Sequence, residues 1–140
     1  MTFLTKHFTL DEFLKSETAD RLGIDNSRPS VSAVIAMTRL AAVILQPLRD
    51  YLGSPIVINS GYRCQSLNKA VGGAYGSQHM AGEAADLSFP LGRDCLKKAL
   101  DYIRYCTNYD QLIYYERGAS SFLHVSYKHV GNRRQFLTKK

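Results

Sequence analysis

Two short apolar stretches each carry one ionisable side chain near the centre, and this is the tightest constraint the sequence places on its own folding. In "AADLSF" the charge is Asp86; in "FLHVSY" it is His124. Both stretches are brief and alternating, so both read as β-strands. In the first, Ala84, Asp86 and Ser88 share one face while Ala85, Leu87 and Phe89 share the other. A carboxylate in such a setting is costly to bury unless it is paired or bound to a cation, and a strand histidine raises the same demand. Any successful fold must therefore deliver a partner to each.

The rest of the pattern supplies a frame for those strands. "TLDEFLKS" opens with a capping box, Thr9 with Glu12, and predicts a short amphipathic helix ending near "SETAD". Val31, Val34, Ile35, Ala41, Ile44, Leu45, Leu48 and Leu52 approximate a helical stripe, with Ser30 as N-cap and Gly53 as stop. Pro47 should kink that helix or break it in two. "PIVINS" reads as a strand, "CQSLNKAV" as a short helix and "RDCLKKALDYIRYC" as a longer one. "DQLIYYE" and "FLHVSYK" form a late hairpin around "RGASS". Strands interspersed with helices in this order predict an α+β fold with a central, largely antiparallel sheet flanked by helices.

A chain of 140 residues is one ordinary domain, taken here as 1–140. It is large enough to bury roughly two-thirds of its unfolded surface without disulfides. Cys64, Cys95 and Cys106 form no C-x-x-C pair and are odd in number, which fits a reducing compartment. The N-terminal "MTFLTKHFTLDEF" lacks the apolar core of a Sec leader, and "AVIAMTRLAAVILQPL" is interrupted by Arg39 and Gln46. The expectation is a monomer, cytoplasmic as synthesised, without stable membrane association. The net charge of +6 favours a polyanionic partner, but its basic residues are scattered and match no nucleic-acid-binding signature. An anionic cell wall would benefit equally from that charge.

His79 lies between Asp86 and the Gly/Ser-rich segment before it, in a loop free to turn toward a shared point. Two imidazoles and one carboxylate make a three-ligand zinc site with an open fourth position, the catalytic rather than the structural arrangement. Taken singly, each has a plainer role: a hydrogen-bonded strand histidine, a turn or cap aspartate, an exposed loop histidine.

"SQHMAGEAADL" resembles the S-x-H-x-x-G-x-A-x-D signature of the zinc D-Ala-D-Ala carboxypeptidase and L-alanyl-D-glutamate endopeptidase superfamily, through Ser77, His79, Gly82, Ala84 and Asp86. Upstream, "SGYRCQSLNKAVGG" is similar to its S-G-[YF]-R-S-x-x-x-N segment, with Cys64 at the usual small serine. Downstream, "FLHVSY" resembles its W-x-H-x-S strand, with Phe122 for tryptophan. The blocks keep the family's order across nearly the whole chain and look most like the small bacterial and phage branch, peptidase M15-like. The resemblance implies a Hedgehog/DD-peptidase-like fold, Zn2+ as cofactor, and His79, Asp86 and His124 as its ligands.

It also implies a zinc peptidase that hydrolyses peptidoglycan stem peptides, of D-Ala-D-Ala carboxypeptidase or L-Ala-D-Glu endopeptidase type, through a zinc-bound water activated by a glutamate. Several members carry E-x-x-H, but Ser121 stands three before His124 here. The Hedgehog domain, similar in fold, has Tyr-Tyr-Glu before its last zinc histidine, which points to Glu116 as general base, with Asp110 as the fallback. A hairpin folding back would bring Glu116 to His124. Arg63 is the expected oxyanion- or carboxylate-binding residue. Ser77 and Gln78 are expected to bind substrate or orient His79. Tyr62, Tyr114 and Tyr115 either line a peptide groove or pack in the core. Without a base in reach, the same fold would be a zinc-stabilised wall- or peptide-binding module. Acting on the wall from the cytoplasm would need release, as for a phage lysin.

Overall fold

The computed structural model describes residues 2–140. Helix α1 (Leu10–Leu14) begins at the expected capping box: Thr9 Oγ1 accepts from the Glu12 amide at 3.3 Å, and Glu12 Oε2 accepts from the Thr9 amide at 3.0 Å. The helix does not end at "SETAD". Lys15 is extended, and Ser16 caps a second helix, α2 (Glu17–Leu22), closed by left-handed Gly23. Short polar residues that look like a helix exit here serve as the next entrance.

Pro47 does not break the long helix in two. Helix α3 (Val31–Leu40) runs through one π-helical turn (Ala41–Leu45) into α4 (Gln46–Leu52). Proline lacks an amide hydrogen, and its ring crowds the carbonyl four residues back. Widening the preceding turn relieves that crowding: the Gln46 amide reaches to the Ala41 carbonyl, five residues back. By length and composition alone, this continuous helix would suit a membrane span. Its apolar stripe, Met37, Leu40, Ala41, Ile44, Leu45 and Leu48, is instead wholly buried in the core of this fold.

After β1 (Val57–Ser60) and α5 (Gln65–Ala70) come β2 (Ala84–Ser88), α6 (Arg93–Cys106), β3 (Gln111–Tyr115), β4 (Phe122–Ser126) and β5 (Gln135–Lys139). The sheet order is β1-β2-β4-β3-β5, antiparallel except for the parallel β3–β5 pair. The sheet is therefore mixed, and β5 is a strand that the basic "RRQFLTKK" scarcely advertises. The fold is α+β.

Register divides the sheet into two faces. Ala85, Leu87, Leu112, Leu123 and Val125 are buried against the long helix and α6, which contributes Leu96, Ala99 and Ile103. The other face carries Asp86, His124 and Ile113, in direct line because Asp86 pairs with His124 and His124 with Ile113. That face opens into a cleft of about 860 Å³.

Candidate metal centre

The two strands with a charge at their heart lie side by side, and the pairing of Asp86 with His124 puts both side chains over the cleft. Asp86 Oδ1 lies 2.9 Å from His124 Nδ1 and 3.4 Å from His79 Nε2. The candidate ligand atoms of the three residues all lie within 4.8 Å of one another. The imidazole rings meet edge to face, centroids 5.2 Å apart. Burial alone would raise the Asp86 pKa, yet hydrogen bonds and charge from His124 and His79, when those rings carry their extra proton, hold its carboxyl far below the ordinary range.

His79 is nearly fully buried, and its orientation is fixed from behind. Its Nδ1 lies 2.7 Å from the Gly61 carbonyl, a contact that requires the hydrogen on Nδ1. In the neutral ring, Nε2 is then a bare lone pair facing a carboxylate oxygen, acceptor against acceptor. A cation between them resolves that arrangement. A histidine whose far nitrogen donates to a backbone carbonyl is also the usual support for a metal ligand. The donor set of two nitrogens and one oxygen, at the floor of an open cleft, suits Zn2+ with a position left for substrate or water.

Two glycines make this geometry possible. A Cβ on Gly61 would sit 2.7 Å from the Phe13 carbonyl oxygen, so only glycine lets the loop after β1 lie against α1 and still turn its carbonyl to His79. Gly82 has φ +75°, and a Cβ there would lie 2.4 Å from the Ala33 carbonyl oxygen.

Arg63 joins the cluster from below. Its Nη2 lies 3.4 Å from Asp86 Oδ2, while Nε donates to Ser60 Oγ at 3.0 Å and Nη1 to Asn68 Oδ1 at 3.3 Å. Burial lowers the Arg63 pKa from its usual value, opposed by the Asp86 charge. Ser77 and Gln78 line the same cleft. Ser77 Oγ accepts from the His79 amide at 3.2 Å, and Gln78 Nε2 donates to Asp110 Oδ2 at 3.0 Å and Glu83 Oε1 at 3.4 Å.

Glu116 requires correction: the hairpin does not bring it to His124. The residue opposite His124 is Ile113, and Tyr115 pairs with Phe122. Odd-numbered residues of β3 therefore share the face of His124, and Glu116 follows the strand exposed, outside the residues that line the cleft. Ser121 Oγ accepts from the Arg117 amide and donates to the Gly118 carbonyl, bracing the turn. Asp110 does line the cleft but is committed: Arg133 reaches Oδ1 through its amide and Nε at 3.0 Å each, and Oδ2 through Nη2 at 2.9 Å. Burial works to raise its pKa, but the bonds from Arg133 and Gln78 prevail and lower it to about 2.

Sequence reasoning passed over Glu83, the cleft carboxylate without an arginine partner, although it stands inside the "GEAAD" segment. It also passed over Arg117 and Lys139 on the rim. Of the three tyrosines, Tyr115 lines the cleft while Tyr62 and Tyr114 pack against the core.

The peptidase M15 family profile matches residues 6–126, most of the chain. The chain belongs to the peptidase M15 family. Among curated relatives, this M15 protein is 41% identical over 71 residues to the zinc D-Ala-D-Ala carboxypeptidase of Streptomyces albus G. The aligned part is 49% of this chain and 28% of that relative. The M15 match encloses His79, Asp86 and His124 as well as Arg63.

Proposed function

We propose that this M15 protein is a zinc-dependent peptidase acting on peptidoglycan stem peptides, with His79, Asp86 and His124 as its zinc ligands. The observation that carries the reading is the convergence of a bare His79 Nε2, the Asp86 carboxylate and His124 Nδ1 at the floor of an open cleft. The similarity to a zinc D-Ala-D-Ala carboxypeptidase supports the choice of metal and substrate. When bound, zinc supplies a Lewis acid that polarises the scissile carbonyl. The net charge of +6 suits an anionic wall, and we extend the proposal to cell-wall degradation of the endolysin kind.

The protein's own groups divide the remaining work. Gly61 holds His79 in one tautomer, and Arg63 orients Asp86 through Oδ2 while offering a fixed positive charge beside the reacting carbonyl. Ser77 steadies the His79 backbone; Gln78 presents an amide to substrate from a position fixed by Asp110. The group that accepts the proton of the attacking water has to come from the cleft carboxylates. Asp86 belongs to the ligand set and Asp110 to Arg133, which leaves Glu83.

The position of Glu116 favours a second reading, a zinc-stabilised module that binds wall peptide and hydrolyses it poorly. Digestion of purified peptidoglycan with and without chelator, followed by mass analysis of released fragments, separates the two. Chelator-sensitive fragments cut before a terminal D-Ala or at L-Ala-D-Glu are expected. Metal-dependent sedimentation with the wall, without any fragments, would leave only the binding module.

A further inference from the structure

The cleft is electrically lopsided. Of its arginines, Arg63 and Arg133 are each held by an aspartate, but Arg117 has no carboxylate partner among the described residues, and neither has Lys139. What holds Arg117 is aromatic. Its guanidinium carbon lies 5.0 Å from the Tyr115 ring centroid and 5.5 Å from that of Phe122, and these two rings are stacked 4.6 Å apart. The turn beneath is braced, because the Arg117 amide donates to Ser121 Oγ at 2.9 Å.

Lys139 belongs to the same row. Phe122 pairs with Tyr115 and Tyr115 with Lys139, so the three residues cross β4, β3 and β5 in line. The neighbouring row contains Asp86, His124 and Ile113. Two residues along a strand separate the rows by about 7 Å. An extended peptide advances about 3.3–3.6 Å per residue, so this row lies about two residues along from a carbonyl placed at the candidate metal cluster.

We propose that Arg117 and Lys139, set around the stacked Tyr115–Phe122 pair, form a carboxylate-binding subsite that selects the substrate segment next to the scissile bond. This rests on reading the cleft as a peptide site. Arg117 is exposed, and a guanidinium held against aromatic rings is pre-aimed yet keeps its fork of donors for a carboxylate. The ammonium of Lys139 adds a second positive charge along the row, without directional demand. The carboxylate has two sources in a stem peptide: the chain's C-terminus, or the free α-carboxylate of a γ-linked D-glutamate.

The test uses the zinc-loaded full chain, wild type and the Arg117→Gln/Lys139→Gln double variant. The probe is L-Ala-γ-D-Glu-L-Lys-D-Ala-D-Ala, with carboxylates free, with the C-terminus amidated, or with the D-glutamate carboxylate amidated. Affinity is read by calorimetry, and KM and kcat by fragment release. The double variant should bind the free peptide about tenfold more weakly, with the loss in KM rather than kcat. One amidated peptide should bind wild type equally poorly and be indifferent to the double variant, and which one it is names the source. Equal losses for all three peptides, or no loss for the free one, would overturn the subsite. Charge-selective binding without hydrolysis of any peptide would instead remove the peptidase reading and leave the subsite standing.

Discussion

Ile113 stands directly across from His124 in the β3–β4 pair, and that one pairing decides which side chains of the hairpin look into the cleft. Ile113 and Tyr115 do; Glu116 does not. On the proposed peptidase reading, the local register therefore moves the role of proton acceptor from the glutamate at the hairpin's end to Glu83 at the entrance of β2.

Glu83→Gln should accordingly lower hydrolysis by about 10²–10⁴-fold while zinc content is retained. Glu116→Gln should stay within about twofold of wild type. Both rates come from one stem-peptide assay, and a large loss in the Glu116 variant with none in the Glu83 variant would reverse the assignment.

His79→Ala and Asp86→Asn should each abolish stoichiometric zinc, because a two-ligand remnant holds the ion weakly. Metal analysis of dialysed protein checks this. In wild type, chelator should lower Tm as well as remove the metal, since an ion bound only by the folded state stabilises it. Full zinc in either variant would refute the ligand set.

Asp110 gives the pH dependence. Its pKa is lowered in the fold to about 2 from 3.8, so its stabilising contribution is present above the unfolded value and is lost as pH falls through the window between about 4 and 2. At neutral pH, Asp110→Asn should cost on the order of 1–2 kcal/mol, allowing for solvent screening at the half-exposed Arg133. The gap between variant and wild type, followed by denaturant unfolding, should close toward pH 2. A gap that persists there would mean that packing, not charge, is what the aspartate contributes.

Gly82→Ala should destabilise by about 2–4 kcal/mol, through a strained positive φ and a Cβ driven into the Ala33 carbonyl. Calorimetry should register a fall in Tm of roughly 10 °C. A change under about 2 °C would show that the first turn of α3 yields easily.

The convergence of Asp86 and His124 was readable in advance because burying a charge leaves a signature: both stand where alternation calls for apolar or small neighbours. The helix limits at Ser30 and Gly53 were readable for the same local reasons, an N-cap hydroxyl and a left-handed stop. Glu116 was misplaced because odd and even positions carry no meaning across a turn until the pairing is known. Strand β5 was missed because its own residues hardly specify it. Asp110 recruits it, tying down Arg133 just before the strand while its carbonyl accepts from Gln135 at 2.9 Å. Pro47 misled for a related reason: a break was one solution to its missing hydrogen, and a wider turn was another.

The glycine behind His79 has a reach beyond the cleft. Gly61 presents its carbonyl to the imidazole while the amide of its neighbour Tyr62 donates to the Phe13 carbonyl of α1 at 2.8 Å. A fully buried Phe13 and the His79 ring of the candidate metal cluster are thus joined through a single peptide unit, Gly61–Tyr62. Loading an ion there and seating the amino-terminal helix should be thermodynamically linked: whatever loosens one weakens the other, although that helix supplies no residue to the candidate cluster.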